Sequence, residues 1–154
     1  MTDLGPVQVH LHHGMTGTYP LRVLDVLFCP CRALAVEYGY ATPVDLLTGG
    51  HRRQADGFAS RLRTDGLAAA LESARERREL PYDGLATVRV FDGGWLGREK
   101  VLFERTDGST LAVRVHADVD VDAFTDAVQS VLDPYDVTVE RRAGAGLTAG
   151  VLGR

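Results

Sequence analysis

The stretch LRVLDVLFCPCRALAVEYGY, Leu21 to Tyr40, decides the fold of this chain. Two apolar runs flank a Cys-Pro-Cys segment, and a proline in so short a connection fixes φ for a tight turn. The pattern predicts a β-hairpin whose strands run from Leu21 to Phe28 and from Arg32 to Tyr40. We expect Cys29 and Cys31 to act there as small, moderately apolar residues on either side of the turn.

The segments on either side of this hairpin predict one more strand and a helical insert. Pro6 to His13 alternates Val and Leu with Gln and His, the period of a half-buried strand. Thr42-Pro43 is typical of a helix N-cap followed by proline in the first turn. A helical pattern then runs from Arg53 to Leu80, with a break near residues 64–66, so we expect a helical insert at about 43–80.

The second half of the chain predicts three more strands and a closing helix. After Pro81 the β-type runs cover residues 85–92, 98–106 and 109–116, and an Asp-Gly pair at 107–108 indicates a hairpin. Acidic residues precede an amphipathic helix over 121–132, and a short strand follows at 137–140. We expect a single α+β domain over 1–142, with a bent antiparallel sheet packed on helices, and a flexible Gly- and Ala-rich tail at 143–154.

Composition limits the classes of partner. The chain has 154 residues and a formal net charge of -4, and its sequence pI is about 5.7. This balance argues against a general nucleic-acid binder and disfavours anionic membrane surfaces. The sequence contains no apolar run of the length of a membrane span and no secretion signal at the N-terminus, so we expect a cytoplasmic protein.

A metal site is the alternative interpretation of Cys29 and Cys31. Two cysteines one residue apart on a strand direct both sulfurs to one face, and histidines at 10, 12 and 13 could complete a tetrahedral set. In an alternating strand, however, His10 and His12 share one face and His13 takes the other. Because the chain has only two thiols, we favour the turn and expect no cofactor.

The sequence offers no catalytic constellation. No serine lies in a G-x-S-x-G elbow, and no glycine cluster fits a Walker loop or a dinucleotide fingerprint. Asp118, Asp120 and Asp122 have calcium-loop spacing, but the glycine and glutamate that the loop requires are missing. We therefore expect a protein that is not an enzyme.

A cationic face is expected on the second half of the sheet. If the valines and leucines of the three later strands face the core, the opposite face carries five basic or titratable side chains: Arg89, Arg98, Lys100, Arg114 and His116. Such a face can hold an anionic group. Glu104 interrupts it, and a charged outer face is common in one-sided antiparallel sheets, so a solvated surface is the favoured interpretation.

The stretches ELPYDGLATVRVFDGG and REKVLFERTDGSTLAVRVHADVDVDAFTDAVQSVL resemble the second half of the pleckstrin-homology-like (PH-like) domains of prokaryotes. The shared features are the Pro81-Tyr82 start, the Asp107-Gly108 turn and the closing helix. The resemblance implies a PH-like half-barrel that acts as an interaction module. Trp95 and Leu96 lie in the GGWLG turn, where an aromatic side chain can anchor an interface. We expect a non-catalytic module that binds a protein partner or self-associates.

Overall fold

A computed structural model describes residues 3–18, 20–95 and 97–144. The strands are β1 (Val9–Thr16), β2 (Leu21–Phe28), β3 (Arg32–Ala41), β4 (Glu76–Pro81), β5 (Leu85–Phe91), β6 (Lys100–Arg105), β7 (Thr110–Val115) and β8 (Thr138–Arg142). The α-helices are α1 (Pro43–Thr48), α2 (Gly50–Asp65), α3 (Leu67–Glu72) and α4 (Val121–Leu132), and a 3-10 turn covers Tyr82–Gly84.

The strands form one open sheet in the order β4-β3-β2-β1-β7-β6-β5-β8. Neighbouring strands pair antiparallel, except that β8 pairs parallel with β5. The α+β class with a bent sheet and packed helices is confirmed, and the last strand makes the sheet mixed. The positions of α1 to α3 between β3 and β4 likewise agree with the helical insert.

The larger core lies between the sheet and α4. Phe124, Val128 and Leu132 of α4 face the sheet at the spacing of one helical stripe. Against them pack side chains from both halves of the sheet, including Phe28 and Phe103. The alternation in β5, β6 and β7 predicted that valines and leucines of these strands face the core, and the following lie in it: Val88, Val90, Val101, Leu111, Val113 and Val115.

A second, smaller core lies on the opposite face of β2 and β3. Leu27, Leu34 and Val36 pack there against Phe58 of α2 and Leu71 of α3. The Tyr38 ring stacks on Phe58 at 4.7 Å between centroids. The helical insert therefore covers a face of the hairpin that would otherwise expose an apolar surface.

The expected continuation of the helix to Leu80 is wrong. The helical segment ends at Glu72, and Glu76–Pro81 forms the edge strand β4 paired with β3. Edge strands often carry charged side chains, which discourage pairing with other chains. The run ERREL therefore has the charge density of a solvated helix although it forms a strand.

The Cys-Pro-Cys segment forms the predicted turn. The Cys29 N–H donates to the Arg32 carbonyl at 2.9 Å, and Phe28 pairs with Ala33 at the end of the hairpin. The Tyr82 hydroxyl donates to the Cys29 carbonyl at 2.6 Å, which ties the turn to the start of the second half of the chain.

Two β-bulges lie on either side of β2. In β1, His12 and His13 together oppose Asp25, because the pairing shifts between Leu11 and Gly14. In β3, Tyr38 is the extra residue where the pairing with β2 shifts between Val23 and Leu24. Bulges re-aim side chains and are frequent next to functional sites. Both bulges here lie beside Asp25.

Candidate functional site

All five histidines of the chain converge around the bulge in β1. The rings form a continuous series of contacts, with centroid distances of 5.5 Å for His10–His12, 6.0 Å for His12–His13, 4.9 Å for His13–His51 and 5.6 Å for His13–His116. These residues come from β1, the start of α2 and the position directly after β7. Residues distant in sequence thus build one polar cluster.

Asp25 organises one half of this cluster. Its side chain is fully buried on β2 and accepts four hydrogen bonds. Oδ2 accepts from His10 Nε2 at 2.6 Å and from His12 Nδ1 at 3.0 Å. Oδ1 accepts from the His13 backbone N–H and from the Tyr38 hydroxyl, both at 2.8 Å. One donor to Oδ1 therefore comes from the bulge in β1 and the other from the bulge in β3.

The network keeps Asp25 ionised. Burial alone would raise the pKa of this carboxyl, but the hydrogen bonds from His10, His12 and the His13 N–H outweigh burial and lower the pKa to about 2. The hydrogen bond to Asp25 raises the pKa of His12. Burial and the nearby carboxylate raise the pKa of Tyr38, so its hydroxyl remains a donor.

His13, His51 and His116 form the other half of the cluster. The Nε2 of His13 and the Nδ1 of His51 lie 2.8 Å apart, as in a hydrogen bond between two imidazoles. Burial lowers the pKa of His13 and of His116 to about 4 and also lowers the pKa of His51. These three rings are therefore neutral at pH 7.

The placement of His13 corrects a sequence expectation. Regular alternation would direct His13 to the face opposite His12, but the bulge gives His13 a φ of 58° and brings its ring to His51 of α2. His12 also points toward α2, with Nε2 3.9 Å from Asp56 Oδ1. A small polar cavity of about 250 Å³ lies here, lined by side chains that include His12, His13, His116, Arg52, Asp56 and Asp118.

The two cysteines lie outside the histidine cluster. Within the described residues, the set that brings three donor atoms to within 4.8 Å of one another is His10, His12 and Asp25, and neither cysteine belongs to it. Cys29 is buried and Cys31 is exposed, and both are free thiols. Burial raises the pKa of Cys29, which disfavours the thiolate that a metal would need.

The structure does not bring the cationic residues into one free surface. The Arg89 guanidinium contacts Glu104 at 3.5 Å and Glu140 at 3.2 Å. Arg114 donates to the Gly17 carbonyl at 2.8 Å, and Lys100 Nζ lies 5.3 Å from the centre of the Phe91 ring. Exposed Arg98 contributes to lowering the pKa of His51 and His116. An anion site on this face stays a prediction.

Trp95 projects from an ordered loop. Its side chain is 91% exposed, while the Gly94 N–H donates to Asp92 Oδ1 at 2.9 Å and the Gly97 N–H donates to the Gly93 carbonyl at 2.8 Å. Gly93 has a φ of +82°, and a Cβ there would lie 2.7 Å from the Arg98 carbonyl carbon. Leu96 and residues 145–154 of the expected tail lie outside the described residues.

Sequence reasoning missed Asp25, Tyr38 and His51 as members of the cluster. A signal for Asp25 was present, because a lone acid in the apolar run LRVLDVLF must be buried with partners. His51 and His116 join the cluster through packing between residues distant in sequence, which local spacing does not predict.

The comparisons support the fold alone. No family model and no curated protein matches the chain. Among solved structures, the chain is similar to the hSac2 domain from the human phosphoinositide phosphatase Sac2. The TM-score is 0.52 at 8% sequence identity, over 92% of this chain and 80% of that one. None of the helices in the described part of the chain is long and apolar enough to cross a membrane.

Proposed function

We propose that the protein is a non-catalytic assembly module that self-associates, with Trp95 as the anchor of the contact. The observation that carries this proposal is the 91% exposure of Trp95 on a loop held by hydrogen bonds. A tryptophan buries roughly 150–250 Å² when it is enclosed. At about 25 cal/mol per Å², this area corresponds to roughly 4–6 kcal/mol of favourable transfer free energy before the costs of association.

The chain also carries an apolar surface that can receive the indole. Among the described residues, the other large hydrophobic side chains that are exposed are Tyr40, Val44 and Leu47, and they lie within eight positions of one another. Val44 and Leu47 belong to α1, none of whose residues is buried. The capping box of Thr42 and Asp45 fixes α1 in place, so this surface is preformed. A second copy of the chain can therefore supply both the anchor and its acceptor.

The PH-like class and the cytoplasmic location belong to this proposal. The class is supported by the resemblance of residues 79–132, and it agrees with an interaction module that lacks a catalytic constellation.

Sedimentation equilibrium of untagged protein tests self-association. We expect a concentration-dependent dimer, and we expect Trp95→Ala to raise its dissociation constant by about tenfold or more, equivalent to about 1.4 kcal/mol. Trp95→Phe should keep part of the affinity because it retains an aromatic ring. Leu47→Ser should weaken the dimer if Trp95 docks on α1.

Ser60→Ala, at an exposed position of α2, is the matched control and should leave the dimer unchanged. A wild-type protein that stays monomeric at the highest attainable concentration would contradict the proposal. A dimer equally strong in the Trp95→Ala variant would show that the contact lies elsewhere.

A further inference from the structure

We propose that His10, His12 and Asp25 form a binding site for a divalent transition-metal ion of the zinc class. Two imidazole nitrogens and one carboxylate oxygen, all within 4.8 Å of one another, supply the donor atoms. This site goes beyond self-association and uses none of its residues. It also differs from the set expected from the sequence, because a carboxylate takes the place of the two cysteines.

The geometry of the strands brings the three ligands together. His10 and His12 are two residues apart on β1, so their side chains leave the same face of the sheet. Asp25 lies opposite the bulge on the neighbouring strand, and Leu27, two residues along β2, pairs with His10. All three side chains therefore leave the same face of the sheet, on the side that α2 covers.

The spacing of the donor atoms is close to that of a metal shell. With bonds of about 2.0–2.1 Å, tetrahedral ligand atoms lie roughly 3.3 Å apart. His10 Nε2 and His12 Nδ1 lie 2.6 Å and 3.0 Å from Asp25 Oδ2. The histidine side chains are 29% and 30% exposed, whereas Asp25 is fixed, so small outward movements of the rings admit an ion.

The residues around the ligands orient them. The His13 N–H and the Tyr38 hydroxyl hold Asp25 Oδ1, which leaves Oδ2 to face the histidines as a single-oxygen ligand. Asp56 lies near Nε2 of His12, the nitrogen that the ion would not use. Carboxylate and hydroxyl partners of this kind are the usual outer shell of a protein metal site. Asp25 and Asp56 together balance the charge of a divalent ion.

The donor set indicates the class of ion. Imidazole with carboxylate suits zinc and its neighbours, whereas oxygen-only sets suit calcium and magnesium. Three protein ligands leave a fourth position for water or another small ligand, as in open zinc sites. The side chains of His10 and His12 are partly exposed, so water can reach that position.

Calorimetric titration with Zn²⁺ of untagged, chelator-treated protein tests the site, and Co²⁺ absorption reports the coordination geometry. We expect one equivalent to bind, and we expect His10→Gln and His12→Gln each to weaken binding by about a hundredfold or more. Tyr38→Phe, which removes only a hydrogen bond to Asp25 Oδ1, should weaken it by roughly 10- to 100-fold.

His51→Gln and Cys31→Ser are the matched controls, because each removes a potential ligand outside the proposed set. Both should bind Zn²⁺ as the wild type does, and circular dichroism should show every variant folded. The proposal fails if the wild type binds no Zn²⁺. It also fails if the His10 and His12 variants bind as the wild type does, or if His51→Gln loses as much affinity as they do.

Discussion

The stability of the fold depends on the hydrogen bonds to the buried carboxylate of Asp25. A carboxylate transferred out of water without partners is very costly, and this one has 0% exposure. Four hydrogen bonds from residues of β1 and β3 compensate the cost of burying this carboxylate. Removing the charge would leave donors aimed at a weaker acceptor, and breaking a buried polar network costs more than the network contributes in net stability.

Asp25→Asn should lower the free energy of unfolding by about 3 kcal/mol. In the wild type the ring nitrogens of His10 and His12 donate to the carboxylate, and in the variant they would face the N–H groups of the amide, which cannot accept. Urea denaturation measures the change. Asp65→Asn, at an exposed position at the end of α2, is the control and should stay within about 0.5 kcal/mol of the wild type. Equal stability of the two variants would mean that the charge of Asp25 is not needed by the fold.

At the scale of elements, the two bulges explain why the cluster could not be read from strand patterns. Period-two alternation predicted His10 and His12 on one face correctly, but an inserted residue breaks the alternation for His13. The turn at Pro30, the helix start at Thr42 and the apolar stripe of α4 were predictable, because each depends on residues close together in sequence. The edge strand β4 was missed because its charged residues resemble the solvent-exposed face of a helix. In the structure they lie on an edge strand, where charge discourages pairing with other chains.

Deleting His13 should leave the sheet in register. Between the pairs Leu11–Val26 and Gly14–Leu24 there are two residues on β1 but one on β2. A chain without His13 would therefore pair one to one along the whole strand. We expect a folded protein by circular dichroism, with reduced stability to urea because the N–H bond to Asp25 is lost.

Deletion of Leu11, a core residue with 1% exposure, is the matched comparison and should cost clearly more stability. If loss of His13 unfolds the protein as completely as loss of Leu11, the bulge is required for the sheet itself.

At the scale of the whole molecule, the neutral histidines couple stability to pH. The pKa of His116 falls from 6.5 to about 4 on folding. Between these values the unfolded chain binds a proton that the folded chain does not, so the free energy of unfolding falls as pH falls through this window. The destabilisation due to His116 is complete below about pH 4 and does not grow further. Burial is the largest cause of this fall in pKa, and the charges of Arg98, His13, His51 and Arg114 add to it.

His116→Gln should therefore flatten the decline in unfolding free energy between about pH 7 and about pH 5. Urea denaturation at the two pH values, in the variant and the wild type, measures the difference in slope. His10 and His12 are unchanged in this variant, so their contributions cancel in the comparison. Identical slopes would mean that His116 takes up its proton in the folded state as readily as in the unfolded one.

The sheet order has a consequence for how the chain folds. Strands β1 to β4 and strands β5 to β8 are each continuous in sequence, and the backbone register between the two halves consists of Gly14–Val115 and Met15–Arg114. The larger core nevertheless draws side chains from both halves. Within each half, β1 to β3 and β5 to β7 pair between neighbours in sequence, whereas β4 joins β3 across the helical insert and β8 joins β5 across β6, β7 and α4. Because contacts between residues distant in sequence slow folding, we expect these two edge strands and the shared core to form after the hairpins.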